Sequence, residues 1–155
     1  MTHSQEKASA PHVVRASPED LDALRAICTS QFAQYMSDLS NSLVLSMSTS
    51  DGRQLAIQSR ATLKADRVGA LVSSLLAVAE TSCREFGAGR CLQTIVVAEH
   101  QQILVLRVGN ARSPFVLAGA YDNKILLGSI YRLQNDLGLA LAQAFGQRFP
   151  FIVEP

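Results

Sequence analysis

Leu43–Ser59 reads LVLSMSTSDGRQLAIQS. Leu43, Leu45 and Met47 alternate with Val44 and serines, the two-residue period of a strand. Ser50-Asp51-Gly52 interrupts the alternation, and Asp-Gly readily supplies the positive φ angles of a tight hairpin turn. Gln54–Ser59 returns as the second strand. A polar connection, Arg60–Ala65, then leads to a long helix, Asp66–Phe86, with Asp66 placed to cap it. Gly87 suits the left-handed position that ends a helix. Three apolar strands follow: Cys91–Ala98, Ile103–Val108 and Phe115–Ala120. Glu99-His100-Gln101-Gln102 can turn between the first two, and Ser113-Pro114 opens the third. Tyr121-Asp122-Asn123 opens a closing helix, Asn123–Gly146, which buries Ile125, Leu126, Ile130, Leu133, Leu137, Leu141 and Phe145.

Upstream of the hairpin, Ser17-Pro18-Glu19-Asp20 starts a helix. Ser is the cap, Pro sits in the first turn, and acids face the helix dipole. Leu21, Leu24, Ile27, Cys28, Phe32 and Tyr35 recur at the helical period, and Asp38–Ser42 breaks it. The division expected is a mobile tail at 1–17, one domain at 18–146 and a second tail at 147–155. Phe149-Pro150-Phe151-Ile152-Val153 in that second tail is apolar enough to pack back or to dock elsewhere. Strands apolar on both faces mean a sheet covered on both sides, and three helices are available to cover it.

Composition narrows the function. The chain has 155 residues, 48% hydrophobic, enough for a core without disulfides or metal. Charged residues are 17%, below the usual quarter or so, which implies surface shared with another chain. The net charge is +1, there is no Trp and no basic run, so a nucleic-acid groove is not expected. No apolar run approaches the roughly 18 residues that span a bilayer, and 1–10 has no signal core. Cys28, Cys83 and Cys91 are odd in number and fit neither a disulfide framework nor a zinc site. They read as small apolar residues of a reducing cytoplasm, with a redox role for Cys83 and Cys91 left open.

The long helix is the unusual element. Its inward stripe reads Val68, Leu71, Val72, Leu75, Ala79, Cys83 and Phe86. The opposite stripe carries Gly69, Ser73, Ala77 and Glu80, flanked by Ala70, Ser74 and Thr81, and no charge lies between Arg67 and Glu80. A helix facing solvent normally carries Lys and Glu. Small residues there let a second helix approach, so this face is expected to be covered by another chain. Ser73→Arg is then expected to separate the chains without unfolding them.

No catalytic constellation accompanies this frame. Gly87-Ala88-Gly89 follows a helix and precedes a strand, and Leu92 stands where a dinucleotide loop needs its third Gly. His100 lies at a turn tip, and His3 and His12 lie in the tail. The acids are scattered over caps and turns. No enzyme activity, cofactor or metal is expected.

The order of elements resembles the Roadblock family of dynein light chains and its bacterial gliding-regulator branch. The residues carrying the resemblance are Val44–Ile57 (VLSMSTSDGRQLAI), Arg67–Ala79, the pair CLQTIVVAE and QILVLRVG, and DNKILLGSIYRLQNDL within Phe115–Leu137. The resemblance implies an α/β protein of the α+β sandwich type. It has a five-stranded antiparallel sheet with one long helix on one face and two on the other, in the order α-β-β-α-β-β-β-α. It also implies a homodimer, or a heterodimer with a paralogue, joined through the middle helix and the adjacent edge strand. The interface residues would be Gly69, Ala70, Ser73, Leu76, Ala77, Glu80 and Thr81 with Gln93 and Ile95. Such a dimer is a cytoplasmic adaptor that binds a small Ras-like GTPase and modulates GTP hydrolysis by repositioning the GTPase's own residues. It contributes no catalytic residue and enters neither membrane nor nucleic acid. A competing reading is a small-molecule sensor of PAS-like or profilin-like type, for which Arg107 and Gln93 are the candidate inward polar groups and a deep apolar pocket would be the sign.

Overall fold

The computed structural model describes residues 16–38 and 42–155. The elements are α1 (Pro18–Asp38), β1 (Ser42–Thr49), β2 (Gln54–Ser59), α2 (Ala65–Glu85), β3 (Thr94–Val97), β4 (Gln101–Arg107), β5 (Phe115–Asp122) and α3 (Leu127–Gly146), followed by a 3-10 turn at Pro150–Ile152. The five strands form one antiparallel sheet in the order β2-β1-β5-β4-β3. The order α-β-β-α-β-β-β-α is the expected one. Most of the segment expected to break α1 from β1, and all of 1–15, lie outside the described residues.

Alternation along the strands sends side chains into two separate cores. Leu104 and Leu106 of β4 and Phe115, Leu117 and Tyr121 of β5 join Leu45 and Met47 of β1 on one face. There they meet Leu24, Cys28, Phe32 and Met36 of α1 and Ile130, Leu137, Leu141 and Phe145 of α3. On the other face Val105, Val116 and Ala118 meet only Val72 and Leu76 of α2, with Val68, Leu75 and Ile103 partly buried around them. Two helices therefore cover one face and one helix the other. Burial pushes the Cys28 thiol up to about 12, so it stays protonated through the physiological range.

The local signals explain most boundaries. The Asp20 N–H donates to Ser17 Oγ (3.1 Å) and the Ser17 hydroxyl donates to Asp20 Oδ2 (2.8 Å), a reciprocal cap that starts α1. That bond from Ser17, and a second from Arg148, hold the Asp20 carboxyl below its usual range. The β1–β2 turn differs in detail from a two-residue Asp-Gly turn. Only Gly52 takes a positive φ (95°), the register shifts between Met47 and Ser48, and Thr49 and Arg53 close the loop through the Thr49 N–H and the Arg53 carbonyl (2.9 Å). Asp66 is not the cap of α2. The helix begins one residue earlier, after Lys64, without a side-chain cap, and Asp66 sits in the first turn where its charge favours the dipole. Gly87 ends α2 as expected, with φ 62° and its N–H on the Arg84 carbonyl (3.1 Å).

Two boundaries moved. β3 holds only Thr94–Val97, the residues that pair with β4, and Cys91–Gln93 lie outside the ladder. α3 begins at Leu127, not Asn123. The Asp122 carboxylate accepts from the Lys124 N–H (2.8 Å), and Asn123 Nδ2 donates to the Ala98 and Glu99 carbonyls (2.8 and 2.7 Å), tying the end of β5 to the β3–β4 turn. Leu126, expected to be inside, is thus 78% exposed. The stretch 147–155, expected as a tail, packs back. Phe149 and Ile152 lie in the larger core, Phe149 packs against Phe115 in a tilted ring pair with centres 5.5 Å apart, and the Asn110 N–H donates to the Ile152 carbonyl (2.8 Å).

Candidate functional site

The histidine and acid candidates for catalysis come apart in the structure. His100 is exposed at the β3–β4 turn, its Nε2 3.8 Å from the exposed Glu99 carboxylate. Among the described residues no three or more His, Cys, Asp or Glu gather where they could hold a metal, and no helix is long and apolar enough to cross a membrane. What the fold builds instead is a surface, made by α2 and the sheet beneath it.

The phase of α2 corrects the stripe read from its sequence. Val68, Val72 and Leu75 face inward as expected, but the buried line runs Gly69, Val72, Leu76. Leu71 is 70% exposed and Phe86 87%. Gly69 and Leu76, expected at a dimer interface, are buried within their own chain. The cause is the hairpin. A Cβ on Gly69 would stand 2.8 Å from the Gly52 carbonyl oxygen and 3.3 Å from the Gln54 nitrogen, so α2 seats on the β1–β2 turn through bare backbone. Ser73 belongs to the same contact, its hydroxyl 3.2 Å from where a Cβ on Gly52 would stand. The small residues at 69 and 73 thus serve a close approach inside the protomer.

Glu80 also turns inward. Arg107 donates to it through Nε and Nη2, both at 2.9 Å, and through Nη1 to the Ser113 carbonyl at 2.6 Å. The pair is 16% and 28% exposed, and it pins the last third of α2 to β4. Ala70, Ala77 and Thr81 are exposed as expected. Gln93 and Ile95 are half-buried at the edge. Ile95 leans on the larger core, and Gln93 lines a recess beside α3 with Leu92 and Leu139.

With its phase settled, the outer side of α2 presents Ala70, Leu71, Ser74, Ala77 and Val78, of which Val78 is 65% exposed. Beside it runs an apolar groove of about 380 Å³, walled by Val68, Leu71, Val72 and Leu75 and floored by Val44, Ile103, Ala118 and Ala120. Arg60 stands at its rim, held by the Ser42 carbonyl (2.8 Å) and the Met36 carbonyl. One helix is too narrow to cover this face of a five-stranded sheet, so the strand ends away from the hairpin stay open. The exposure of Leu71 was missed because the helical wheel was phased on bulk, which put Leu71 inside. The signal that places it is Gly69, read as the partner of Gly52.

The position of Gly69 gives a testable consequence. Replacing Gly by Ala inside a helix ordinarily gains about 1 kcal/mol. Here the added methyl meets backbone that cannot rotate away, at an overpacking cost of about 1–3 kcal/mol. Gly69→Ala is expected to lower folding stability by up to about 2 kcal/mol net, read from the urea midpoint. A glycine facing a second chain would instead give a protomer of higher stability.

The family model described as the Roadblock/LC7 domain matches residues 29–113. Two uncharacterized proteins of Methanocaldococcus jannaschii are each 32% identical over 80 residues, covering 52% of this chain and 67% of theirs. Among solved structures, Myxococcus xanthus MglB superposes with a TM-score of 0.67 at 14% identity, covering 92% of this chain and 98% of that one. A structure titled MglB with tetrameric arrangement gives 0.70 at 15% identity, covering 89% and 98%. At these identities the superpositions establish the fold, and the family model, which matches more than half of the chain, establishes the membership: this protein belongs to the Roadblock/LC7 domain family.

Proposed function

We propose that the chain is a non-catalytic, cytoplasmic regulatory module that pairs through the outer face of α2 and presents the paired surface to a small Ras-like GTPase. The observation carrying this reading is the uncharged exposed face from Ala70 to Val78 with the open apolar groove beside it. Exposed apolar surface of this extent on a small domain marks a protein contact. Family membership supports the adaptor role, and the tetrameric arrangement named for one MglB structure supports assembly as a working state of this fold. The pair is either two copies of this chain or this chain with a paralogue.

The sensor reading fares less well. The groove is open on one side, and neither Arg107 nor Gln93 lines it. Arg107 spends its guanidinium on Glu80 and Ser113.

The test of the GTPase role uses the full chain and the purified small Ras-like GTPases of its own source, each loaded with GTP. At least one is expected to co-sediment with the chain, to change its hydrolysis rate on binding, and to lose both effects when the α2 face is charged by Leu71→Glu. If none binds at tens of micromolar, the GTPase part of the proposal fails while pairing stands or falls separately.

A further inference from the structure

The pairing surface leaves unused the far end of α2, where two thiols meet. Cys83 occupies the last turn of α2, on the same side as Glu80 one turn earlier. Gly87 and Gly89, both at positive φ, reverse the chain, and the Ala88 N–H donates back to the Cys83 carbonyl at 2.8 Å. The chain then reaches Cys91 just before edge strand β3. Arg107 of β4, which lines the same recess as Cys91, is fixed to Glu80 and so ties the end of α2 to the sheet beside this lead-in. The Cys83 thiol faces the Cys91 thiol, and Cys91 also lies 3.7 Å from the Gln93 carbonyl and from Thr94 Oγ1. Both cysteines are free and half-buried, unlike Cys28 in the core.

Cys91 opens onto a recess of about 230 Å³ that also exposes Arg84, Arg90 and Arg107. Glu80 neutralises Arg107, leaving Arg84 and Arg90 as the surplus positive charge at its mouth. A small disulfide carrying carboxylates fits that charge.

We propose that Cys83 and Cys91 are a redox-active dithiol, oxidised to an intrachain disulfide by a small anionic disulfide that enters through the arginine-lined recess. Cys91, at the recess, attacks one sulfur of the small disulfide and releases its first thiol. Cys83 then attacks the Cys91 sulfur of the mixed disulfide and releases the second. Two protein thiols become one disulfide, and one small disulfide becomes two thiols, with two electrons and two protons passing to it. Desolvation first, then the neighbouring Cys91 thiol, hold the Cys83 thiol up in pKa, which disfavours it as the first attacker. The bond staples the end of α2 to the entry of edge strand β3.

The experiment is direct because trypsin separates the two cysteines, into 68–84 and 91–107. The reduced full chain is titrated anaerobically with oxidised glutathione, quenched with an alkylating agent and digested. The expected product is peptide 68–84 joined to 91–107, with Cys28 alkylated only after denaturation. In Cys83→Ser the glutathione adduct is expected to stay on Cys91. In Cys91→Ser, Cys83 should take up glutathione at least tenfold more slowly. Independent alkylation of both cysteines in the wild type, a stable glutathione adduct on both, or a bond joining two chains would each overturn the proposal, whatever the variants do.

Discussion

Gly119→Ala is expected to damage this fold severely through one added methyl. Gly119 lies in β5, the middle strand of the sheet, under α3. A Cβ there would stand 2.5 Å from both Gln134 Oε1 and Tyr121 Oη and 2.7 Å from Tyr121 Cε2. None of these atoms can retreat, because Gln134 and Tyr121 are 0% and 2% exposed. They are also each other's partners. The Tyr121 hydroxyl donates to Gln134 Oε1 at 2.7 Å, and Gln134 Nε2 donates to the Leu104 carbonyl at 2.8 Å. The same burial keeps the Tyr121 phenol raised and protonated, as a donor must be. Overpacking costs about 1–3 kcal/mol, and a buried polar group left without its bond costs about 1–3 kcal/mol more. The sum, about 2–6 kcal/mol, is a large share of the roughly 5–15 kcal/mol that holds a domain together. The urea midpoint should fall steeply at unchanged slope. A loss under about 0.5 kcal/mol would mean that α3 does not seat on Gly119.

The second large effect concerns assembly and leaves the fold alone. Leu71 is exposed in the protomer, so Leu71→Glu should change protomer stability by no more than about 0.5 kcal/mol. In a symmetric pair the substitution acts twice. A loss of about 1.4 kcal/mol per copy, modest beside the roughly 1.5–3 kcal/mol for burying a whole Leu, weakens pairing on the order of 100-fold. Burying two carboxylates against apolar surface adds to that. Concentration-dependent sedimentation, with thermal unfolding alongside, separates the two effects. Ser73→Arg is the poorer test. Ser73 faces Gly52, so an arginine there presses on the hairpin and lowers protomer stability, contrary to the expectation from the helical stripe.

Most of the fold was legible because local chemistry and burial agree. Ser17 and Asp20 cap α1, Gly52 turns the hairpin and Gly87 stops α2, each doing what its residue type does elsewhere. The alternation of Leu104, Val105 and Leu106 is enough to place helices on both faces of the sheet. The misses share a cause, which is that a partner far away in sequence overruled a local preference. Asn123 has the type to cap a helix but binds the β3–β4 turn. Gly69 and Ser73 look like a seam for a second helix but meet Gly52, seventeen or more residues upstream. For Phe149 and Ile152 the sequence left packing back and docking elsewhere both open, and Asn110 holds them to the core. The site was half legible for the same reason. The lack of charge from Val68 to Ala79 marks α2 as the surface that matters. Which side of α2 faces outward depends on a glycine-to-glycine contact that no helical wheel contains.

The proposed pairing requires a second chain over the outer side of α2. Sedimentation equilibrium of the reduced full chain, from below one to about a hundred micromolar, measures this directly. The predicted result is a species of two chains across the upper part of that range, lost in Leu71→Glu. A single-chain mass at every concentration would contradict it.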